Sequence, residues 1–141
     1  MATWQYELVD PPSEPRALEL WLQYAAGFIV FEDVRRYAIE RIDLGLSAEA
    51  VLAAKKGIDD AVYGLMMVID GVTGDLHGRG RMLSLRTTVR LERSDTGEVI
   101  DALDLAEGDG MCMGYHGWVN GDFGDDPVVQ SAGRSGSPEE A

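Results

Sequence analysis

Residues 47–71 read SAEAVLAAKKGIDDAVYGLMMVIDG, and this stretch decides the fold class. Val51, Ile58, Val62, Leu65 and Ile69 recur at helical spacing and make one apolar face. Ser47 stands where its hydroxyl can accept from a first-turn amide, and Glu49 puts an anion at the positive end of the helix dipole. Gly71 is suited to end the helix, because glycine enters the left-handed conformation without steric cost. Ala50, Ala54, Gly57, Ala61, Gly64 and Val68 form a second line of small residues. A glycine inside a helix costs about 1 kcal/mol relative to alanine. The line therefore predicts close approach of another helix or a sheet, with a groove floor open to a ligand as the other reading. Asp70, in the last turn, opposes the dipole and is expected to be solvated unless a neighbouring group holds it.

Upstream, residues 3–9 alternate in the manner of a short strand, with Trp4, Tyr6 and Leu8 on one side, and Pro11 and Pro12 stop it. Ser13 reads as an N-cap with Pro15 in the first turn. Leu18, Trp21, Leu22, Ala25 and Ile29 then line one helix face. The pattern resumes in a new phase at Phe31, Val34, Ala38 and Ile42, which suggests a break at Gly27. A connection of about three residues around Gly45 makes the two long helices antiparallel neighbours.

Downstream, GVTGDLHGRG at 71–80 reads as a glycine-rich loop. Residues 81–93 alternate strictly, with Leu83, Leu85, Val89 and Leu91 inward, and SDTG marks a turn. The return strand over 98–106 fits a hairpin in which Arg93 meets Glu98, Leu91 meets Ile100 and Val89 meets Ala102. MCMGYHGW reads as a short helix or an irregular packed segment, its glycines weakening the helix. The fold class is α+β: an antiparallel helical hairpin on a small antiparallel sheet made of the N-terminal strand and the β-hairpin, closed by a glycine-rich C-terminal segment. Residues 1–127 form one domain, and 128–141, rich in Ser, Gly and Glu, read as a disordered tail.

Twenty-five acidic against 12 basic residues give a net charge of −13 and a pI near 4.3. Such a surface repels phosphate, so nucleic acid and anionic membranes are disfavoured as partners, while a basic protein is attracted. No apolar run approaches the twenty residues of a membrane span. The opening MATWQYELVD lacks the basic start and apolar core of a signal peptide, and the single cysteine, Cys112, suits a reducing compartment. The expected location is cytoplasmic.

Chemistry has few anchors. GDLHG at 74–78 resembles the GDxHG motif of calcineurin-like metallophosphoesterases, in which Asp and His help hold two metal ions. The family's GDxxDRG-like and GNHE-like blocks are missing from the sequence. DFG at 122–124 resembles the magnesium-binding triplet of protein kinases, without a glycine-rich loop or HRD segment beside it. His77 and His116, the two histidines, lie in glycine-rich stretches with Asp75 and other acids near them. Were these stretches to converge, they would supply the ligands of an open metal site. Cys112 stands between Met111 and Met113 and reads as a buried thiol. His116 lies one helical turn away, as a nucleophile's base would.

The first functional reading is a non-catalytic acidic binding protein, without cofactor, that masks a basic partner in the manner of an immunity protein or antitoxin on a toxin. Asp101, Asp104, Glu107, Asp109, Asp122, Asp125 and Asp126 would supply the charge, with Tyr115 and Trp118 as aromatic anchors. The alternative is a small metal-binding or hydrolytic enzyme built on His77, His116 and Asp75. A third is a homodimer joined through the small-residue line of the 47–71 helix.

Overall fold

In the computed structural model, which describes residues 3–124 and 127–130, the most deeply buried helix is not the 47–71 stretch but the one before it. Helix α1 (Pro15–Val30) buries seven of the eight residues 21–28, so this middle stretch is covered on every side rather than along one stripe. Its N-cap is Glu14, not Ser13: the longer side chain reaches forward to accept from the amides of Arg16 (3.0 Å) and Ala17 (2.7 Å). Gly27 does not break the helix. The phase change seen in the sequence arises at a π-helical turn, Phe31–Arg36, before the short α2 (Tyr37–Glu40). One extra residue in a turn rotates the following face by roughly 100°. It buries Phe31 and leaves Ile29, expected inside, half exposed.

Helix α3 (Ala48–Ile69) has the caps its sequence announces. Ser47 Oγ accepts from the Ala50 amide at 3.2 Å. Gly71 adopts φ +74°, and the amides of Gly71 and Val72 donate to Val68 O and Met67 O, each at 3.0 Å, which closes a Schellman motif. Only Val62, Met66 and Ile69 of α3 are buried. The small-residue line finds no close neighbour, since a Cβ on Gly57 or Gly64 would meet nothing within 4 Å. The link from α2 spans residues 41–47, longer than expected. The helical hairpin is closed at the π turn, where Arg35 Nε donates to Asp59 Oδ1 at 2.6 Å.

The hairpin stays open because a fourth helix fills it. Helix α4 (Met111–Trp118) packs on both α1 and α3, and Trp118 is its wedge, 2% exposed. The indole seats on glycines from two helices: a Cβ on Gly27 would lie 2.6 Å from its ring carbons, and one on Gly114 would lie closer still. Around it Phe123 stacks at 6.2 Å, and Tyr24 and Phe31 present edges at 5.8 and 6.1 Å. Met66, Val62, Ile69, Leu105 and Met111 complete the core.

Three two-stranded antiparallel sheets replace the single expected one. Strand β1 (Tyr6–Leu8) pairs not with the hairpin but with β6 (Val128–Gln130), so ordered strand extends three residues past the expected start of a tail. Residues 131–141 lie outside the described residues. Strands β2 (Leu76–Gly78) and β3 (Arg81–Leu83) form a hairpin where a loop was expected. Strands β4 (Thr88–Glu92) and β5 (Val99–Asp104) form the expected hairpin, closed as foreseen by Arg93 N donating to Glu98 O at 2.8 Å. A bulge between Leu91 and Glu92 then shifts the register by one. Leu91 faces Asp101, and Val89 faces Leu103, so both apolar residues of that second pair pack on the core. No helix among the described residues is long and apolar enough to cross a membrane.

Candidate functional site

The turn that launches α4 is the most elaborately held piece of backbone in the fold. α4 begins after Gly110, whose φ of +109° carries the chain into the helix and whose missing side chain leaves the first amides uncapped. Asp70, at the end of α3, supplies the cap from 41 residues away: Oδ1 accepts from Met111 N at 2.6 Å and Oδ2 from Cys112 N at 2.9 Å. The carboxylate that looked misplaced in the sequence is thus the anion at the next helix's positive end. From the other side, the buried Gln23 accepts from Asp109 N at 2.9 Å and donates to Gly110 O at 3.2 Å. Arg16 donates to both carboxylate oxygens of Asp109, and this pair holds the guanidinium above its ordinary range.

Cys112 sits at this turn, within reach of Tyr63 and Asp70. Burial, and then the Asp70 carboxylate beside it, push the thiol above its ordinary range, which the Tyr63 hydroxyl offsets only in part. A nucleophilic cysteine needs the opposite shift. His116 is one turn along the same helix, as foreseen, but its ring lies against Tyr63 (6.2 Å) and Tyr115 (5.7 Å). Asp59, Asp60, Tyr63, Met67, Tyr115 and His116 line a shallow recess of ≈ 470 Å³. Asp60 meets Lys56 Nζ at 2.6 Å, and Asp59 is held by Arg35. Burial, and then Asp59, raise the Tyr115 hydroxyl. A second concavity of ≈ 500 Å³ is lined by Val9, Asp10, Pro12, Leu20, Trp21 and Tyr24 among others.

The expected metal site does not assemble among the described residues. His77 lies on β2 opposite Met82, and His116 lies on α4. Among the described residues no group of three His, Cys, Asp or Glu side chains is placed to hold an ion. Several of the expected binding acids are engaged within the chain. Asp104 accepts from Arg86 Nε at 2.9 Å and from the Ala106 amide at 3.0 Å, and Asp109 is tied to Arg16. Asp101 is half-buried on β5; Asp122 accepts from Gly124 N at 3.0 Å. Glu107 is exposed, 3.8 Å from Arg86. Asp125 and Asp126 lie outside the described residues. Trp118 cannot anchor a partner because the core encloses it. Tyr115, half-buried at the recess, retains an accessible edge.

What the sequence reading missed is an exposed apolar arm. Leu76, Met82, Leu83 and Leu85 are 73, 61, 64 and 69% exposed, although Leu83 and Leu85 were expected inside. Alternation shows which residues share a face but not whether anything covers it. The signal available was electrostatic: residues 79–93 hold five arginines and one acid. No family model matches the chain, and neither the curated proteins nor the solved structures yield a match.

Proposed function

We propose that the chain is a non-catalytic binding protein that covers a basic surface on a protein partner, an immunity or antitoxin-like role being the concrete case. The observation that supports this is the way charge is parted along the chain. Setting aside the five arginines and one acid of 79–93 from totals of 12 and 25 leaves seven bases against 24 acids, a net of −17. The body apart from the β2–β4 region is thus more acidic than the whole. Such a field speeds encounter with a cation-rich surface and discriminates against anionic ones.

The recess beside α4 offers that partner a place for one side chain. Tyr63 and Tyr115 present ring surface beside Asp60, an exposed carboxylate met among the described residues only by the likewise exposed Lys56, and a partner's arginine or lysine would displace that lysine. Exposed Glu107 and Asp122, with Asp101, add to the chain's overall negative charge.

The test is capture of a partner by the tagged full chain at about 50 mM and about 500 mM salt. A basic protein retained at low salt, released at high salt, and lost with Tyr63→Ala plus Asp60→Lys is the expected outcome. No stable partner, or one whose retention ignores salt and both substitutions, would defeat the proposal.

A further inference from the structure

The β2–β3 arm is anomalous on three counts. Its strands pair with each other and pack substantially on no other element among the described residues. A lone two-stranded hairpin is marginally stable in water. Its opposed pair Leu76–Leu83 shares one face, and Leu85 follows two residues on. The Leu76–Leu83 pair is an exposed apolar face of the kind that marks an interaction site, and Met82, opposite His77, exposes its side chain on the other face. At the tip, Arg79 (φ +53°) and Gly80 (φ +73°) form a two-residue turn in which both residues are left-handed. Asparagine, aspartate or glycine takes the first position without the strain that arginine bears there.

The charges on the arm are also unspent. Arg86, Arg90 and Arg93 each meet an acid of their own chain. Arg79 and Arg81, at the tip, have no such partner among the described residues.

We infer that the arm is a self-association element. The Leu76–Leu83 face and the tip arginines of one chain dock on the acidic body of a second copy, which returns the contact to form a two-fold dimer. Charge complementarity selects the second copy. The arm, residues 76–83, holds two arginines and no acid, a charge of +2, and the rest of the chain, with ten bases against 25 acids, carries −15, so each copy offers the counterpart that the other's arm lacks. A nucleic acid or an anionic membrane presents negative charge alone to the acidic body, whereas a second copy brings its own arginine-bearing arm to it. The inference does not rest on the basic-partner reading. A dimer without a basic partner, or a basic partner bound by a monomer, separates the two.

The experiment is sedimentation velocity on the full chain from about 1 to 100 µM at low and high salt. The expected result is a species of twice 15.4 kDa that dissociates as salt rises. Two variants locate the interface: Leu76→Asp with Leu83→Asp, and Arg79→Glu with Arg81→Glu. Each is expected to weaken the dimer about tenfold or more while leaving the far-ultraviolet circular dichroism unchanged. If the leucine variant loses structure, the arginine variant decides, since those side chains hold no ion pair on their own chain. A monomer at every concentration overturns the inference. So does a dimer that both variants leave intact, or a monomer whose arm binds anionic vesicles or duplex DNA.

Discussion

Gly27→Ala probes the seat of Trp118. In an ordinary helix interior this change stabilises by about 1 kcal/mol. Here the new methyl would lie 2.6 Å from Cη2 and Cζ3 and 2.7 Å from Cε3 of the indole. Carbon atoms rest at about 3.5–4.0 Å, so the ring must retreat by roughly 1 Å. It has nowhere to go: its far side lies on Gly114, Phe123 stacks on it, and Tyr24 and Phe31 close its edges. Overpacking of this kind costs about 1–3 kcal/mol, and three simultaneous contacts with a rigid ring place it at about 3. Less the helical gain, the expected loss is about 2 kcal/mol, a fall in Tm of about 7 °C for a chain of this length. Urea titrations followed by circular dichroism and tryptophan fluorescence read it directly. Gly57→Ala is the control, with open space at its Cβ position and an expected gain of about 0.5–1 kcal/mol. If Gly27→Ala stabilises as much as Gly57→Ala, the packing argument is wrong. Trp118→Leu should abolish most of the difference between the two glycines, because the ring that creates it is gone.

Three other expectations come from the α4 turn and the arm's base. Asp70→Ala should cost about 2 kcal/mol in a urea titration, since it uncaps two amides, and Asp70→Asn about half of that. A change below about 0.5 kcal/mol for both would remove Asp70 from its capping role. The Cys112 thiol, raised by burial and by Asp70, should react with iodoacetamide at about pH 8 at least tenfold more slowly in the native protein than in urea. Equal rates would show the thiol is not shielded. Asp104, held down first by Arg86 and then by the Ala106 amide, has a folded pKa below its unfolded one. Its contribution is present above the unfolded value of about 3.9 and is lost as pH falls through the folded value. Asp104→Asn should therefore flatten the Tm profile below about pH 4, and less so in high salt because the pair is solvent-exposed. An unaltered acid limb counts against the pair.

Local chemistry was legible where it depended on neighbours in sequence. Ser47 and Gly71 cap α3 as their side chains require, and Arg93 meets Glu98 across the β4–β5 turn. The phase slip between Ile29 and Phe31 was also visible, although its cause was assigned to Gly27. A glycine kinks a helix only where nothing packs on it, and this one receives an indole. What stayed hidden depended on partners far along the chain. Asp70 reads as an error at the end of α3 until Met111 and Cys112 arrive beneath it. Gln23 would be an unremarkable polar residue on α1 but for the turn at Asp109 and Gly110. Trp118 reads in the sequence as an anchor for a partner, yet the core takes it, and Gly114 is there to make room for it. The histidines carried the opposite lesson: like glycine-rich surroundings at 77 and 116 belong to a strand and a helix, and no group of three ligand side chains forms among the described residues.

The wedge has a consequence for the order in which the chain becomes native. Helix α4 has eight residues, two of them glycine, and is far too short to persist alone. Its cap comes from Asp70, 41 residues back at the end of α3, and the turn before it is held by Gln23 of α1, so its full set of contacts needs both helices in place. Docking of α4 therefore belongs after the rate-limiting step. Substitutions at Met111, Gly114 or Trp118 should accelerate unfolding while leaving the refolding rate nearly untouched. On that expectation the segment that seals the hydrophobic interior arrives last and leaves first, and unfolding rates of these variants against wild type check it.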